Sequence, residues 1–511
     1  MVRATIFKDL LILAAPVVAS INYPPIPEDL TTPFQVRLAV SGHNGKKEQP
    51  SNEHVWNRKT HENRNKAVTI GWNTYEAFNK SCVAYGTSPD NLSSHSCSSS
   101  SVTYSTSRTW SNMVVLSGLD PATAYYYKII SANSSVEPFL SPRIPGDKTP
   151  FNMNVVSDLG IYGKDGFTIS RRDAIPYVQP ELNHTTIGRL AKTLEDYEVV
   201  IHPGDFAYAD DWYLKLPSAQ EGQKAYQSIL EGFYEQLAPI TGHKIYMASP
   251  GNHEADCSEV RRLLKLCPEG QENFTDFKHH FGKTMPQPFT SSSSNKSAQT
   301  QSDKARNFAR PPFWYSFEYG MAHVVMLNTE TDFPNAPDSK LESGPFGKKG
   351  EQLEFLDADL SSVDREVTPW VIVAGHRPWY STDSVHRCES CQDAFEKLLY
   401  KYGVDLAVFG HVHNSQRLLP VFDGIADPRG MHNPKAPMYI ICGGAGNIEG
   451  LISIDEKPSY TKFAYADEYS YSTLKFLDDK HLQIDFICSS TGEVLDSSTL
   501  YKVHSNPFVI Q

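Results

Sequence analysis

The chain has 511 residues, 40% of them apolar and 21% charged, with 26 Tyr, 25 Phe and 7 Trp. At roughly 150 residues per domain this excludes a single small module, and the supply of core-forming side chains excludes wholesale disorder. The formal net charge of −12 repels a polyanion unless a local positive centre overrides it, which excludes nucleic-acid binding through a basic surface.

In chain order, the first segment carries Arg3 and Lys8 and then the apolar runs Leu10 to Ala15 and Val17 to Ala19. The run is too brief to span a bilayer, and small residues stand before Ser20, so residues 1–19 read as a cleaved signal peptide, with a buried N-terminal helix as the alternative. No later segment reaches transmembrane length, and the tail Val503 to Gln511 lacks the long apolar end of a lipid-anchor signal. The expectation is a soluble protein that is secreted to the extracellular space, the cell wall or a vacuole. Six Asn-x-Ser/Thr sequons, at Asn79, Asn91, Asn133, Asn183, Asn273 and Asn295, are candidate N-glycan sites in that compartment.

From Phe34 to about Pro145 short alternating segments, such as Ala67 to Trp72 and Ser101 to Tyr104, are separated by Gly, Pro, Asn and Ser. This pattern predicts a small β-sandwich over residues 33–146. Gly118 to Pro121, followed by Thr123 and the run Tyr125 to Lys128, resembles the fibronectin type III turn in which a Tyr closes the corner. Gly42 to Lys66 and Ser93 to Ser101 read as loops.

Beyond the linker Ser141 to Pro150 the texture changes to continuous apolar runs ending in Gly or Asp, spaced by longer helical segments, which predicts an α/β domain over residues 150–504. The predicted strands are Asn152 to Val156, Val199 to His202, Lys244 to Ala248, His323 to Leu327, Trp370 to Ala374 and Leu406 to Phe409. Helices are predicted at Leu190 to Asp196, Ala225 to Leu237 and Asp393 to Tyr402. The Ser-rich stretch Pro286 to Pro312 reads as a surface loop, and Met438 to Cys442, Ser472 to Phe476 and Leu482 to Ile487 read as strands completing a sheet. Eight Cys allow many connectivities; proximity in sequence suggests Cys82/Cys97, Cys257/Cys267 and Cys388/Cys391, leaving Cys442/Cys488. Cys388 and Cys391 have the spacing of a redox pair but lack its βαβ context.

Five motifs follow predicted strands directly: Asp158-Leu-Gly160, Gly204-Asp205-Phe-Ala-Tyr208, Gly251-Asn252-His253-Glu254, Val373-Ala-Gly-His376 and Gly410-His411-Val-His413. Each alone is an ordinary turn or a core histidine. Together they stand where α/β sheets bind ligands, because loops at the carboxyl ends of strands converge over one crevice. Asp, Tyr, Asn and His offer hard oxygens and imidazole nitrogens with no thiolate, a set suited to iron, zinc or manganese.

These motifs resemble the signature of the large secreted plant and fungal purple acid phosphatases, within the calcineurin-like metallophosphoesterases. The resemblance implies an N-terminal fibronectin type III-like β-sandwich followed by a four-layer αββα metallophosphoesterase domain. Carried over motif by motif, Asp158, Asp205, Tyr208 and His413 would hold Fe(III). Asp205, Asn252, His376 and His411 would hold a divalent ion (Zn, Mn or Fe(II)), with Asp205 bridging. That inner shell, with a bridging hydroxide, keeps an excess of about one positive charge, which attracts a phosphate monoester dianion despite the acidic surface. The implied reaction is acid phosphatase chemistry, attack of metal hydroxide on a small phosphomonoester, with an acidic optimum because a trivalent ion acidifies water more strongly than a divalent one. His253 and His386 match pocket histidines and are the candidate proton donors. The best-known plant pattern has two adjacent histidines where this chain reads Val385-His386, and Arg387 to Cys391 also departs from it.

Asp210 and Asp211 read as a solvated acidic loop, and His279-His280 as an exposed pair. Trp379 and Tyr380 could wall the pocket or fill the core. Two other functions fit parts of the sequence: a two-zinc phosphodiesterase or nucleotide pyrophosphatase of the same fold, from which Tyr208 separates the main reading, and a non-catalytic adhesion glycoprotein, against which the seven intact ligand residues argue.

Overall fold

The computed structural model describes residues 24–41, 66–132, 134–161, 185–214, 222–255, 267–291, 293–340, 343–454 and 456–511. The predicted signal peptide, the predicted loop after Gly42, Asn133, Asn183 and Cys257 lie outside the described residues.

Among the described residues, eight strands precede residue 150: β1 (Phe34–Val40), β2 (Ala67–Thr74), β3 (Ser81–Gly86), β4 (Ser94–Ser98), β5 (Ser101–Val102), β6 (Trp110–Ser117), β7 (Ala124–Ile129) and β8 (Glu137–Leu140). They form the two sheets of a sandwich, one ordered β1-β2-β6-β5 and the other β4-β3-β7-β8. The stretch read as a loop at Ser93 to Ser101 instead carries β4 and β5. Its serines hide the alternation, and the Cys82–Cys97 disulfide ties β4 to β3. The Tyr125 hydroxyl accepts from the Asp120 backbone N–H at 3.0 Å, closing the corner that the sequence anticipates.

The remaining strands are β9 (Phe151–Val155), β10 (Val199–Pro203), β11 (Ile245–Ser249), β12 (Tyr315–Tyr319), β13 (Ala322–Met326), β14 (Trp370–Ala374), β15 (Leu406–Phe409), β16 (Ser415–Leu418), the short hairpin β17 (Val421–Phe422) and β18 (Ile425–Ala426), β19 (Met438–Cys442), β20 (Thr461–Tyr465), β21 (Ser470–Phe476), β22 (His481–Cys488) and β23 (Val494–Tyr501). One sheet runs β23-β22-β21-β9-β10-β11 and continues through β1 into the first sandwich sheet; the other runs β12-β13-β14-β15-β19-β16-β20. β9, β10 and β11 are parallel, as are β13, β14, β15 and β19. β10, β11, β13, β14 and β15 are buried at every residue. That is why these strands read as unbroken apolar runs rather than alternations. The sheets pack face to face, with Tyr315 donating to the Ala248 carbonyl and Ser415 bonded to Ser470. The carboxyl ends of both parallel sets therefore meet at one edge of the core.

Three expectations need correction. Pro286 to Pro312 contains a helix, Lys296–Phe308, capped by the Asn295 side chain and burying Ala298, Ser302 and Ala305 against helix Glu351–Ser362. Small residues make that face of an otherwise polar helix, so no run of large apolar residues marks it in the sequence. Cys442 and Cys488 are free and buried: they end strands of different sheets, and Cys442 Sγ bonds Ser472 Oγ at 3.1 Å. His279 and His280 are buried, not exposed; His280 stacks on Tyr234, and burial pushes His279 down to about 4, so it stays neutral. Trp379 and Tyr380 pack in the core.

The two histidines belong to a buried polar cluster between the sandwich and the helices beneath it. The Arg37 guanidinium donates to the His280 carbonyl (2.8 Å), Asn73 Oδ1 (2.9 Å) and Ser111 Oγ (2.6 Å). Asp276 accepts from Tyr104 and Tyr234 at 2.9 and 3.0 Å, and burial pushes its carboxyl up to about 6.

Candidate metal centre

Asp158, Asp205 and Asn252 follow β9, β10 and β11, whereas His376 follows β14 and His411 and His413 follow β15. All reach one point because the two parallel sets end at the same edge. Turning the chain there requires unusual backbone: Asp158, Asp205, Tyr208 and His411 have φ of 61°, 55°, 51° and 67°. Non-glycine residues in the left-handed region are strained, and such strain persists where the surroundings dictate it, typically at functional sites. Gly251 and Gly410 allow the close approach, since a Cβ at either would collide with the Asp205 or Asp158 carboxylate.

The Tyr208 hydroxyl lies 2.8 Å from Asp158 Oδ1, 3.3 Å from Asp205 Oδ2 and 2.9 Å from His413 Nε2. On the other side, His376 Nε2 lies 3.0 Å from both Asp205 Oδ2 and Asn252 Oδ1. Asp205 thus stands between two groups of donors. His376 Nδ1 bonds the Pro203 carbonyl (3.1 Å) and His413 Nδ1 the Gly450 carbonyl (3.2 Å). Each ring is held so that Nε2 turns inward, the arrangement of a metal-ligating imidazole. The ligand atoms of Asp205, His376 and His411 lie within 4.8 Å of one another.

The electrostatics test whether metal ions fit here. Asp158, Asp205 and Tyr208 are at most 1% exposed, and burial, followed by the two carboxylates, pushes the Tyr208 hydroxyl well above its ordinary range. Burial opposes charge on His376, yet the Asp205 carboxylate pushes it up to about 9. A proton on His376 thus supplies positive charge that the acidic groups demand, whereas burial, then Arg377, pushes His411 well below the ordinary histidine range. Cations of charge +3 and +2 would displace the His376 proton and favour the phenolate, and the oxygen and imidazole donors suit them. The donor set fits a dinuclear centre.

The cleft above the cluster has a volume of about 580 Å³ and is lined by His253, Arg377, Val385, His386, Arg387 and Glu449 among others. His253 lies over the Tyr208 ring, 4.0 Å between centroids, with Nδ1 bonded to Asp210 Oδ1 at 2.8 Å. Asp210 is therefore the anchor of a pocket histidine rather than part of a free acidic loop. Burial opposes the imidazolium, but Asp210 and Asp205 push His253 well above the ordinary histidine range. His386, anchored by Asp383 at 2.7 Å, lines the same cleft with its ring 5.5 Å from that of His411 and its side chain 41% exposed. Val385 beside it is 84% exposed at the rim, and the Cys388–Cys391 disulfide closes the same segment.

Several site residues escaped the sequence reading. The Glu254 carboxylate accepts from the backbone N–H groups of Asp205, Phe206 and Gly251 at 2.8–2.9 Å, bracing two ligand loops together. Burial, then Asp205, pushes it up to about 8. His202 Nδ1 bonds the Tyr246 hydroxyl at 2.7 Å beneath the Asp205 loop. Arg377 pairs with buried Glu330. A carboxyl residue closing a strand-end motif was the available signal for Glu254; Glu330, distant in sequence, offered none.

Comparisons with known proteins cover most of the chain. Residues 153–415 match the calcineurin-like phosphoesterase family, 51–142 the purple acid phosphatase N-terminal domain, and 436–497 the iron/zinc purple acid phosphatase-like protein C domain. Acid phosphatase A of Cryphonectria parasitica is 58% identical over 99% of both chains. An acid phosphatase of Aspergillus ficuum is 30% identical over 76% of this chain and 75% of its own. The structure of a purple acid phosphatase from yellow lupin seeds superposes with a TM-score of 0.63 over 93% of this chain and 75% of its own, at 22% identity, a likeness of fold.

Proposed function

This chain is an acid phosphatase of the purple acid phosphatase family within the calcineurin-like phosphoesterases, and on that premise we propose that it hydrolyses small phosphate monoesters at a dinuclear centre assembled around Asp205. Asp158, Asp205, Tyr208 and His413 would hold Fe(III); Asp205, Asn252, His376 and His411 would hold a divalent ion, Zn, Mn or Fe(II). Such a metal pair, when bound, supplies positive charge for the phosphoryl oxygens and activates water as the nucleophile.

The protein's own groups complete the chemistry. His253 has Nδ1 fixed by Asp210 and Nε2 3.9 Å from Glu449 Oε1 across the cleft, so it carries a proton where a leaving alcohol departs. His386 offers a second imidazole in the same cleft, oriented by Asp383. Proton donation to the alkoxide is what a phosphomonoester with a poor leaving group needs. Glu254 fixes the spacing of the Asp205 and Asn252 loops, holding the ligands in place before an ion arrives.

The observation that carries this reading is the Tyr208 hydroxyl, enclosed by Asp158, Asp205 and His413 within 3.3 Å. An all-divalent site has no evident need of a phenolate there. Metal analysis of the purified protein with a visible spectrum tests it: iron with one divalent ion and a purple colour are expected, with Tyr208→Phe bleaching the colour while keeping part of the activity. A colourless, iron-free protein fully active with two zinc ions would favour the zinc phosphodiesterase.

The same reading makes the chain a secreted glycoprotein. The disulfides Cys82–Cys97 and Cys388–Cys391 support it. Asn79, Asn91, Asn273 and Asn295 are exposed and available for N-glycans. Among the described residues no helix is long and apolar enough to cross a membrane.

A further inference from the structure

Arg377 directly follows the ligand His376, and the backbone N–H groups of both residues donate to Thr329 Oγ1, at 2.9 and 3.1 Å. One hydroxyl thus sets the direction of two adjacent side chains. His376 turns into the metal cluster, and the Arg377 guanidinium forms part of the cleft wall beside Asp205, Asn252 and His411.

The two ends of that guanidinium have different surroundings. Nε donates at 2.6 Å to Glu330 Oε2, on a side chain with no exposed surface. Nη1 donates at 2.9 Å to His411 Nε2, and 18% of the Arg377 side chain is open to the cleft. Burying a carboxylate costs several kcal/mol unless a cation compensates it. Such an arrangement is a poor way to fill a wall but a good way to hold a planar cation rigidly with one edge free. With Nε held by Glu330 and Nη1 by His411, the remaining guanidinium N–H groups have an oxyanion as their natural acceptor at the cleft.

We infer that Arg377, pinned by Glu330, is a phosphate-binding residue of this cleft, donating to the non-transferred oxygens of the phosphomonoester and of the phosphate product. The inference rests on the phosphatase reading of the site. A guanidinium meets two phosphate oxygens with parallel N–H bonds, which a lysine cannot do. Glu330 acts through Arg377 and is a positioning residue.

The test uses the metal-loaded, full-length enzyme with inorganic phosphate as probe, read by calorimetric titration alongside metal analysis. Arg377→Met would leave Glu330 buried and unpaired, so it is paired with the double variant Arg377→Met/Glu330→Gln. In both, the phosphate Kd is expected to rise roughly tenfold or more, as for loss of a charged hydrogen bond, with metal content unchanged and KM rising in step. Arg377→Lys should recover part of the affinity. A folded, metal-loaded double variant that binds phosphate like the wild type overturns the inference, as does loss of metal in parallel with phosphate. If the methionine variants do not fold, Arg377→Lys decides: a severalfold weaker Kd supports the clamp and an unchanged one refutes it. Wild-type enzyme that binds no phosphate would instead refute the phosphatase reading itself.

Discussion

The metal cluster and the Arg37–Asp276 cluster are both largely buried and rich in polar groups, yet they are completed differently. Around Arg37 the two charged groups find their partners within the chain: the guanidinium has carbonyl, amide and hydroxyl acceptors, and Asp276 has two phenol donors, with only the neutral His280 ring among these residues leaving a buried nitrogen unpaired. Around Asp205 two carboxylates and a phenol face His376, which carries a proton only because the Asp205 carboxylate overrides its burial. A buried polar cluster that satisfies itself holds structure together, whereas one that lacks positive charge is built for something the chain does not encode.

The largest effect should come from the atom both halves of the metal cluster share. Asp205→Ala is expected to lose both metals and reduce turnover of an aryl phosphate to background, while Arg37, in the other cluster, can be altered without changing metal content per folded molecule. Plasma mass spectrometry and a turnover assay check this; near-normal turnover by Asp205→Ala would refute the dinuclear centre. Next come the residues that border the cluster without belonging to it. His253→Ala and His386→Ala should keep both metals and lose roughly 10²- to 10⁴-fold in kcat, the usual worth of a general acid. Stoichiometric loss of metal in either variant would mark that histidine as a ligand.

The smallest effect concerns the self-satisfied cluster and appears in stability rather than catalysis. Burial raises the Asp276 carboxyl from 3.8 to about 6, so between these values the native state holds a proton that the unfolded chain releases. Its contribution is therefore present in full below about pH 4 and falls as pH rises to about 6, by ~3 kcal/mol at most. Arg37, Glu231, Tyr104 and Tyr234 face this group, and Asn at position 276 keeps the neutral form at every pH. The melting temperature of Asp276→Asn relative to wild type should rise between pH 4 and pH 7 in calorimetry. A constant difference across that range would show that Asp276 ionises normally.

The parallel strands were legible in the sequence because burial on both faces leaves continuous apolar runs; Trp370–Ala374 and Leu406–Phe409 fall where the pattern puts them. The ligand motifs were legible because each sits just past such a run. What stayed hidden depends on contacts between distant segments. Asp210 reads as one more surface acid until His253 is seen against it, and nothing near Glu330 reveals that Arg377 will cover it. The His279-His280 pair reads as exposed because sequence shows charge capacity, not the Tyr234 ring stacked on one of them. Helix Lys296–Phe308 was missed because its packed face is Ala and Ser, small enough to approach a neighbouring helix and too polar to register as apolar.

The sheet that crosses from β11 into β1 bears on how the protein could be divided. Leu38 of β1 pairs in parallel with Ile245 of β11, and β1 then pairs antiparallel with β2. The sandwich is thus not a cassette appended to the enzyme: one of its two sheets is the outer part of a sheet of the enzyme. A fragment beginning near residue 150 would strip β11 of a neighbour and uncover an edge of five buried residues, Ile245–Ser249, with free backbone donors and acceptors. Unguarded apolar edges template pairing between chains, so such a fragment should aggregate on expression. Exchange of N-terminal regions between relatives should succeed only where the β1 strand and its register travel together.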